Sequence, residues 1–584
     1  MLQFLASLIL VPSLLSFLPS ADASSPVDIT ARTGPTLKDW AHLNATVGGR
    51  LFPGVPWTEP CFSIYNGKKV KPDVGQCSFV QQNFFNHIVR TGISGAYGTQ
   101  NFEMCMRTGD QCQINSFDLP DPFAFTPPRE CRQGSIPDFF IDVKGKEDVI
   151  AALNFVKKTG VPLVIKNTGH DFKGRSSAPG SLSLWTHNLK YISHNAKFVP
   201  EGCHNVAAQQ ALTYGAGQQF QEIYEFANAH GLEVVGGADQ TVGGAGGWAQ
   251  GGGHSTLTPS LGMGVDRALQ YKVVTPDGVF RTVNSCQNSD LFFALRGGGG
   301  GTFAIVLEAT VMASPSQTFR VANINWPINN DNMKKMLALF VENSTTLATQ
   351  QWGGFFTPSI GNLVLINPKL NMAQAKKVMQ PLIDLSTSLG GVSNVTEFPN
   401  YLAWFNAYAV GLSGNQDSLG VPHAMTTRLI PQKNYQTPAG RVQTVNALAN
   451  ALEITGFSQI TLTTPIGFKG TDGKDTSITP IWRTSLHHVI LVQPFAYNST
   501  LAEIQATYAL GTKAINFLRD ITPGSGAYVN EADIHEPNHE VSFWGDNFPR
   551  LLQIKNKYDP HRILDCWHCV GWKGPSSPQF KCYI

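Results

Sequence analysis

Between Gly236 and Asp266 the chain runs "GGADQTVGGAGGWAQGGGHSTLTPSLGMGVD", eleven glycines in 31 residues. Glycine loses more backbone freedom on folding than any other residue, so this density is tolerable only where unusual dihedrals or close approach to something flat or charged is required. A ligand touched by main chain is the expectation; a glycine-rich surface loop is the plainer one. The absence of a Gly-Lys-Ser/Thr element excludes a Walker-type phosphate loop. Gly244, Gly246 and Ala249, with Asp266 beyond them, fit a dinucleotide fingerprint only loosely. Eight residues separate Val235 from Gly244, where such a turn follows its strand at once, and Trp248 would crowd it.

A second turn, "VIKNTGHDFKGRSS" from Val164 to Ser177, carries His170 in its middle. Taken alone it reads equally well as a surface loop with an incidental imidazole. Its surroundings are regular. "PDFFIDV" reads as a strand, Val149, Ala152, Leu153 and Val156 recur at helical spacing up to a C-cap at Gly160, and "VPLVI" is a second strand. A β-α-β unit thus feeds the turn, and two glycine-bearing turns point to one extended cofactor held by two loops. Downstream, "YKVVTPDGVFRTV" predicts a hairpin. Near residue 315 the glycine clusters stop and strands alternate with amphipathic helices, as in Met333, Met336, Leu337, Phe340 and Val341.

Only 14% of the 584 residues are charged and the formal net charge is +2 with no basic run, so neither nucleic acid nor an anionic membrane is indicated. The first 23 residues read as a secretory signal peptide ending in Ala21-Asp22-Ala23, with Pro12 and Pro19 arguing against a membrane span. Sequons at Asn44, Asn343, Asn394 and Asn498 agree with secretion. Ten cysteines, an even number, suit an oxidising compartment; five lie in the Pro- and Gly-rich stretch from about 50 to 135, which they are expected to staple. "CWHC" at Cys566 to Cys569 has redox or zinc spacing but no companion motif, so a structural disulfide is expected there and no metal site anywhere.

In these motifs the chain resembles the berberine-bridge-enzyme-like branch of the vanillyl-alcohol-oxidase flavoproteins, especially fungal isoamyl-alcohol-oxidase-like members. The family's R-S-G-G-H-x-x-x-G-x-S loop is similar to Lys166-Asn167-Thr168-Gly169-His170 with Gly174-Arg175-Ser176, and its C-P-T-V-G-x-x-G-G-x-x-x-G-G-G loop to Asp239-Gln240-Thr241-Val242-Gly243 with Gly246-Gly247 and Gly251-Gly252-Gly253. "NSDLFFALRGGGGGTFAIV", "YVNEAD", "FWGDNFPRL" and "KNKYDP" extend the likeness over about residues 130–315 and 520–572.

The resemblance implies an α+β, two-domain PCMH-type FAD-binding fold with an inserted antiparallel-sheet substrate domain covered by helices. The expected units are a Cys-containing extension over 24–130, an FAD-binding domain over 131–315, a substrate domain over 318–515 and a berberine-bridge-like segment over 516–584 that completes the FAD domain. It implies FAD bound covalently through His170. Lys166, Asn167, Thr168, Gly169, Asp171, Gly174, Ser176, Asp239, Thr241, Val242, Gly243, Gly246, Gly247, Gly252, Gly253, Val306 and Asn530 are expected to surround it. Asp239 stands where many relatives place a second attachment cysteine, so a single bond is expected. Val242 occupies a position where, in relatives, a small residue admits oxygen, which favours an oxidase over a dehydrogenase.

Flavin chemistry of this class pairs hydride loss from a C–H with proton loss from the adjoining O–H or N–H. The family's plant glutamate has no counterpart in "ITLTTPIGFKG". Tyr528 is therefore the first candidate for acid/base work, then one of His487 and His488, which alternate on a strand. Glu531 or Asp533 is expected nearby, and His254 is a further candidate. The expected activity is FAD-dependent oxidation of an alcohol, a small one or a secondary-metabolite hydroxyl, with O2 as acceptor and H2O2 as product. The alternatives are oxidation of a carbohydrate at its hemiacetal carbon, or a secreted non-catalytic glycoprotein that keeps the fold. Partners are a small-molecule substrate and O2, with no nucleic acid and no membrane span.

Overall fold

A computed structural model describes residues 34–126, 128–409 and 419–584; the expected signal peptide lies outside them. Strands β1 (Leu51–Pro53), β2 (Phe139–Asp142), β3 (Leu163–Lys166) and β4 (Leu182–Trp185) form a sheet ordered β1-β2-β4-β3. In it β4 runs parallel to both β2 and β3. Helix α1 (Lys146–Thr159) makes the crossover between β2 and β3, buries Val149, Ala152, Leu153 and Val156, and ends on Gly160 in the left-handed region at φ 76°. The crossover delivers the chain into the His170 turn at the open end of β3.

A second, five-stranded antiparallel sheet is ordered β8-β7-β9-β6-β5 and comprises β5 (Ile192–Phe198), β6 (Gln209–Gly215), β7 (Ala268–Val274), β8 (Phe280–Asn284) and β9 (Ile305–Met312). The expected hairpin is β7 and β8, closed by the Thr275 amide on the Val279 carbonyl. Between β6 and β7 run helix α2 (Phe220–Ala229) and the glycine-rich segment. The dinucleotide-fold reading of Gly244, Gly246 and Ala249 fails. The strand before them, Leu232–Glu233, pairs antiparallel with Ser314–Pro315, and the helix Gly247–Gly251 has five residues.

A third, seven-stranded antiparallel sheet holds β10 (Phe319–Asn325), β11 (Gly353–Thr357), β12 (Asn362–Asn367), β13 (Ser393–Phe398), β14 (His423–Pro431), β15 (Phe457–Leu462) and β16 (Ser485–Pro494), in the order β13-β10-β12-β11-β15-β16-β14. One face packs on α3 (Asn330–Thr349), α4 (Met372–Ser388), α5 (Pro438–Leu452) and α6 (Leu501–Ile521), around Met336, Phe340, Met379, Leu448 and Ile515. Residues of the other face, among them Val321, Phe355 and Leu429, join the core of the first two sheets. A sheet covered by helices on one side only turns its bare side toward the glycine-rich loops, and the candidate site lies at that junction.

All ten cysteines pair. Cys61–Cys77 and Cys112–Cys131 lie within the 50–135 stretch, as expected, while Cys105 reaches across to Cys582. The remaining bridges are Cys203–Cys286 and, within "CWHC", Cys566–Cys569. Among the sequons, Asn394 and Asn498 are exposed, whereas Asn44 and Asn343 are half-buried. Among the described residues no helix is long and apolar enough to cross a membrane.

Candidate active site

A cleft runs between the two glycine-bearing turns and a turn from Tyr528 to Glu531. Asn167, Thr168, Gly169, His170, Asp171 and Ser176 line it from the first turn, and Val242, Gly243, Gly246 and Gly247 from the second. Val306 lines its floor and Tyr528 and Asn530 close one end. These are 13 of the expected residues brought to one place from four separate parts of the chain.

Backbone geometry explains the glycines. Gly169 sits at φ 88°, and a Cβ there would meet Lys166 Cε at 2.9 Å. At Gly243 a Cβ would fall 1.7 Å from Asn167 Oδ1, so only glycine lets the two turns touch. Gly252 and Gly253, both at positive φ, lie outside the cleft lining; they and Gly251 let the Tyr528 turn approach, since a Cβ on Gly251 would stand 2.5 Å from the Asn530 amide.

Four further expected residues do not line the cleft. The Lys166 side chain points away because neighbours on a strand face opposite sides, and it is Ile165 that faces inward. Lys166 Nζ instead donates to the carbonyls of Ile93, Ser94 and Ala96 at 2.6 to 2.9 Å, with burial pushing its pKa down to about 7. Gly174 packs against Phe102 and Tyr583, while Asp239 and Thr241 stand behind His170.

Of the histidine pair, His487 is turned away. It stacks on Phe340, and its Nδ1 bonds the Tyr435 hydroxyl at 2.7 Å, within the helix-covered core. Its candidacy for acid/base work is therefore corrected. His488 faces the other side, against Tyr528, His254 and Trp482, with ring centroids 5.2 to 5.8 Å apart, and stands behind Glu531 rather than on the cleft itself. Burial lowers its pKa to about 3. Glu531 is the carboxylate of this end. Its Oε1 meets His254 Nε2 at 3.2 Å and its Oε2 lies 3.7 Å from His488 Nε2. Burial alone would raise the Glu531 pKa, but the His254 charge and hydrogen bond, with His488, bring it below the usual range. Asp533 is held elsewhere, by Thr512 and Arg519.

Tyr528 is 2% exposed, and its hydroxyl accepts from Asn530 Nδ2 at 2.6 Å. Asn530 also donates to the Gly247 carbonyl and accepts from Arg175 Nη2 at 2.9 Å, so one amide ties the three turns together. Sequence reasoning passed over Arg175, whose guanidinium is clamped by Asp171. It also passed over Gly300 and Gly301, although the run of five glycines at 297–301 was the available signal.

Buried polar atoms test the fit of an extended polar cofactor. On the cleft-lining residues Asn167 Oδ1, Arg175 Nη1, Ser176 Oγ and Gln250 Oε1 are buried without a hydrogen-bond partner among the described residues. Such groups are retained where something else satisfies them. A cation and amide-rich turns suit a pyrophosphate, and the gap toward Tyr528 suits a flat ring system.

The comparisons agree. The family described as FAD binding domain matches residues 137–284, and the one described as Berberine and berberine like matches residues 527–565. The FAD-linked oxidoreductase ffsJ of Aspergillus flavipes is 35% identical, over 97% of this chain and 95% of its own. The crystal structure of the VAO-type flavoprotein MtVAO615 from Myceliophthora thermophila C1 superposes with a TM-score of 0.81 at 28% identity, covering 92% of this chain and 97% of that one. At 19% identity and a TM-score of 0.60, the glucooligosaccharide oxidase of Acremonium strictum, described with a 6-S-cysteinyl, 8α-N1-histidyl FAD, shares the fold over 74% of this chain and 91% of its own. With those lengths of chain matched and the α+β architecture in common, the protein belongs to the VAO-type FAD-linked oxidoreductases with a berberine-like segment.

Proposed function

We propose that the protein oxidises a hydroxyl-bearing carbon of a small alcohol or secondary metabolite, with FAD held covalently by His170 alone and dioxygen as acceptor. The observation that carries this reading is the cleft itself, with a histidine at one wall and an acid/base assembly of Tyr528 and Glu531 at its end. When bound, FAD supplies the two-electron acceptor for a hydride. Burial, and then the Glu531 charge, raise the Tyr528 pKa, so its phenol stays protonated at neutral pH and serves to orient the substrate hydroxyl. Ionised Glu531, backed by His254 and His488, takes the hydroxyl proton. This revises the sequence-based order, in which Tyr528 came first. Arg175 and the main-chain amides of both turns would hold the pyrophosphate of FAD. Val242 lines the cleft, and its small side chain supports the reading of oxygen as acceptor. Membership of an oxidoreductase family sets aside the non-catalytic alternative.

Replacing His170 by Ala tests the attachment: the wild-type protein should keep its yellow colour through acid precipitation, and the variant should release FAD. Flavin that stays bound in the variant after denaturation refutes the link. A screen of small alcohols against oligosaccharides, read by flavin bleaching without oxygen, separates the alcohol reading from oxidation at a hemiacetal carbon.

A further inference from the structure

Behind His170 stands a buried carboxylate that does not line the cleft. Asp239 is 4% exposed and accepts from His87 Nδ1 at 2.7 Å through one carboxylate oxygen. Its other oxygen accepts from the amide and the hydroxyl of Thr241, at 2.6 and 2.8 Å. The Thr241 hydroxyl has one proton, and that proton is given to Asp239. Toward His170 Nε2, 2.7 Å away, it must therefore accept. This fixes the tautomer: Nε2 carries the hydrogen, and Nδ1 keeps its lone pair, forms no hydrogen bond among the described residues, and is the nitrogen left for the cleft that His170 lines. Asp239 Oδ1 also lies 3.5 Å from His170 Nε2. Burial would raise the Asp239 pKa, yet the two imidazoles and the Thr241 amide hold it below the ordinary carboxylate range, while burial lowers His170 to about 4. A neutral imidazole is thereby set beside an ionised carboxylate inside the protein. A buried charge of this kind is weak evidence for stability and better evidence for a task.

We propose that Asp239, held by His87 and acting through Thr241, is the proton acceptor with which the protein attaches FAD to His170. The inference rests on the covalent link proposed above. In the step, His170 Nδ1 forms a bond to the 8α carbon, one C–H bond of that methyl group is broken, and the Nε2 proton passes through the Thr241 hydroxyl to Asp239. The two electrons released go to the isoalloxazine and from it to dioxygen, which leaves with the two protons as hydrogen peroxide. His87 is a positioning residue that keeps the carboxylate ionised and aimed.

The test uses the full chain as wild type, Asp239→Asn, Asp239→Glu and His87→Gln, incubated with FAD in air. Total bound flavin is read from absorbance, and linked flavin from fluorescence after denaturation and the mass of the His170 peptide. Asp239→Asn should bind FAD but link it about 100-fold more slowly. His87→Gln should link slowly too, and Asp239→Glu should recover part of the rate. Asp239→Asn linking at the wild-type rate overturns the role of Asp239 and leaves the His170 link standing; wild-type flavin released on denaturation overturns the link itself. Should Asp239→Asn not fold, Thr241→Val and Thr241→Ser decide, with slow linkage in the first and normal linkage in the second expected, and equal rates overturning the relay.

Discussion

At the scale of single residues, Tyr528 and Val242 separate the two halves of a turnover. The Tyr528 hydroxyl accepts from Asn530, a contact that leaves its own proton available for a substrate oxygen. Tyr528→Phe should lower the rate of flavin reduction by about 100-fold or more, with reoxidation by oxygen unchanged, as stopped-flow measurement of each half-reaction would show. An unchanged reductive rate removes Tyr528 from the chemistry. Val242→Leu should do the reverse, slowing reoxidation about tenfold while reduction keeps its rate. His170 and both glycine turns were legible in the sequence because each is a local pattern. Glu531 was named only as a neighbour, because what supports its proposed role is its closure on His254 and His488, from residues far apart along the chain.

At the scale of elements, β16 puts two identical side chains to opposite uses. Alternation along the strand was plain in "SLHHVILVQPF", but not which face meets the cleft, since that depends on where helices α3 to α6 pack. The structure settles it through Phe340 and Tyr435, which take His487 into the helix-covered core. His487→Asn should therefore cost stability, about 1 to 3 kcal/mol for the lost buried hydrogen bond, and leave turnover intact. His488→Asn should lower turnover, because the ring that stands behind Glu531 and packs on Tyr528 and Trp482 is lost. Thermal melts and initial rates on both variants check the contrast, and equal effects on turnover would refute the facing assigned here. Helix α1 and its Gly160 cap were legible by the same periodicity, whereas the His87–Asp239 contact, spanning 152 residues, left no periodic trace.

At the scale of the molecule, the His170 turn is braced by distant chain. Cys105 and Cys582 are joined across 477 residues. Beside that bridge the Tyr583 hydroxyl donates to the Lys173 carbonyl at 2.6 Å, Arg107 Nε donates to the Tyr583 carbonyl, and Trp567 stacks on the Tyr583 ring at 4.2 Å. Phe102 and Tyr583 close on Gly174, where a Cβ would sit 2.4 and 2.6 Å from them, so the turn has no slack on its outer side. The even count of cysteines was legible, but their pairing was not, because spacing along the chain carries no record of which ends of a fold meet. Closing so long a loop restricts the unfolded chain far more than the folded one, so Cys105→Ser with Cys582→Ser should lower stability by about 2 to 5 kcal/mol. The loss should also be unevenly spread. With the brace slack, hydrogen exchange should quicken in peptides covering 169–177 and in those near Phe102, while peptides of β10 to β12, whose core residues lie in other clusters than Phe102, Trp567 and Tyr583, should exchange as before. A uniform increase across the chain would mean that the bridge acts only on the unfolded state and that the turn around His170 is held by its own glycines and by Asn530.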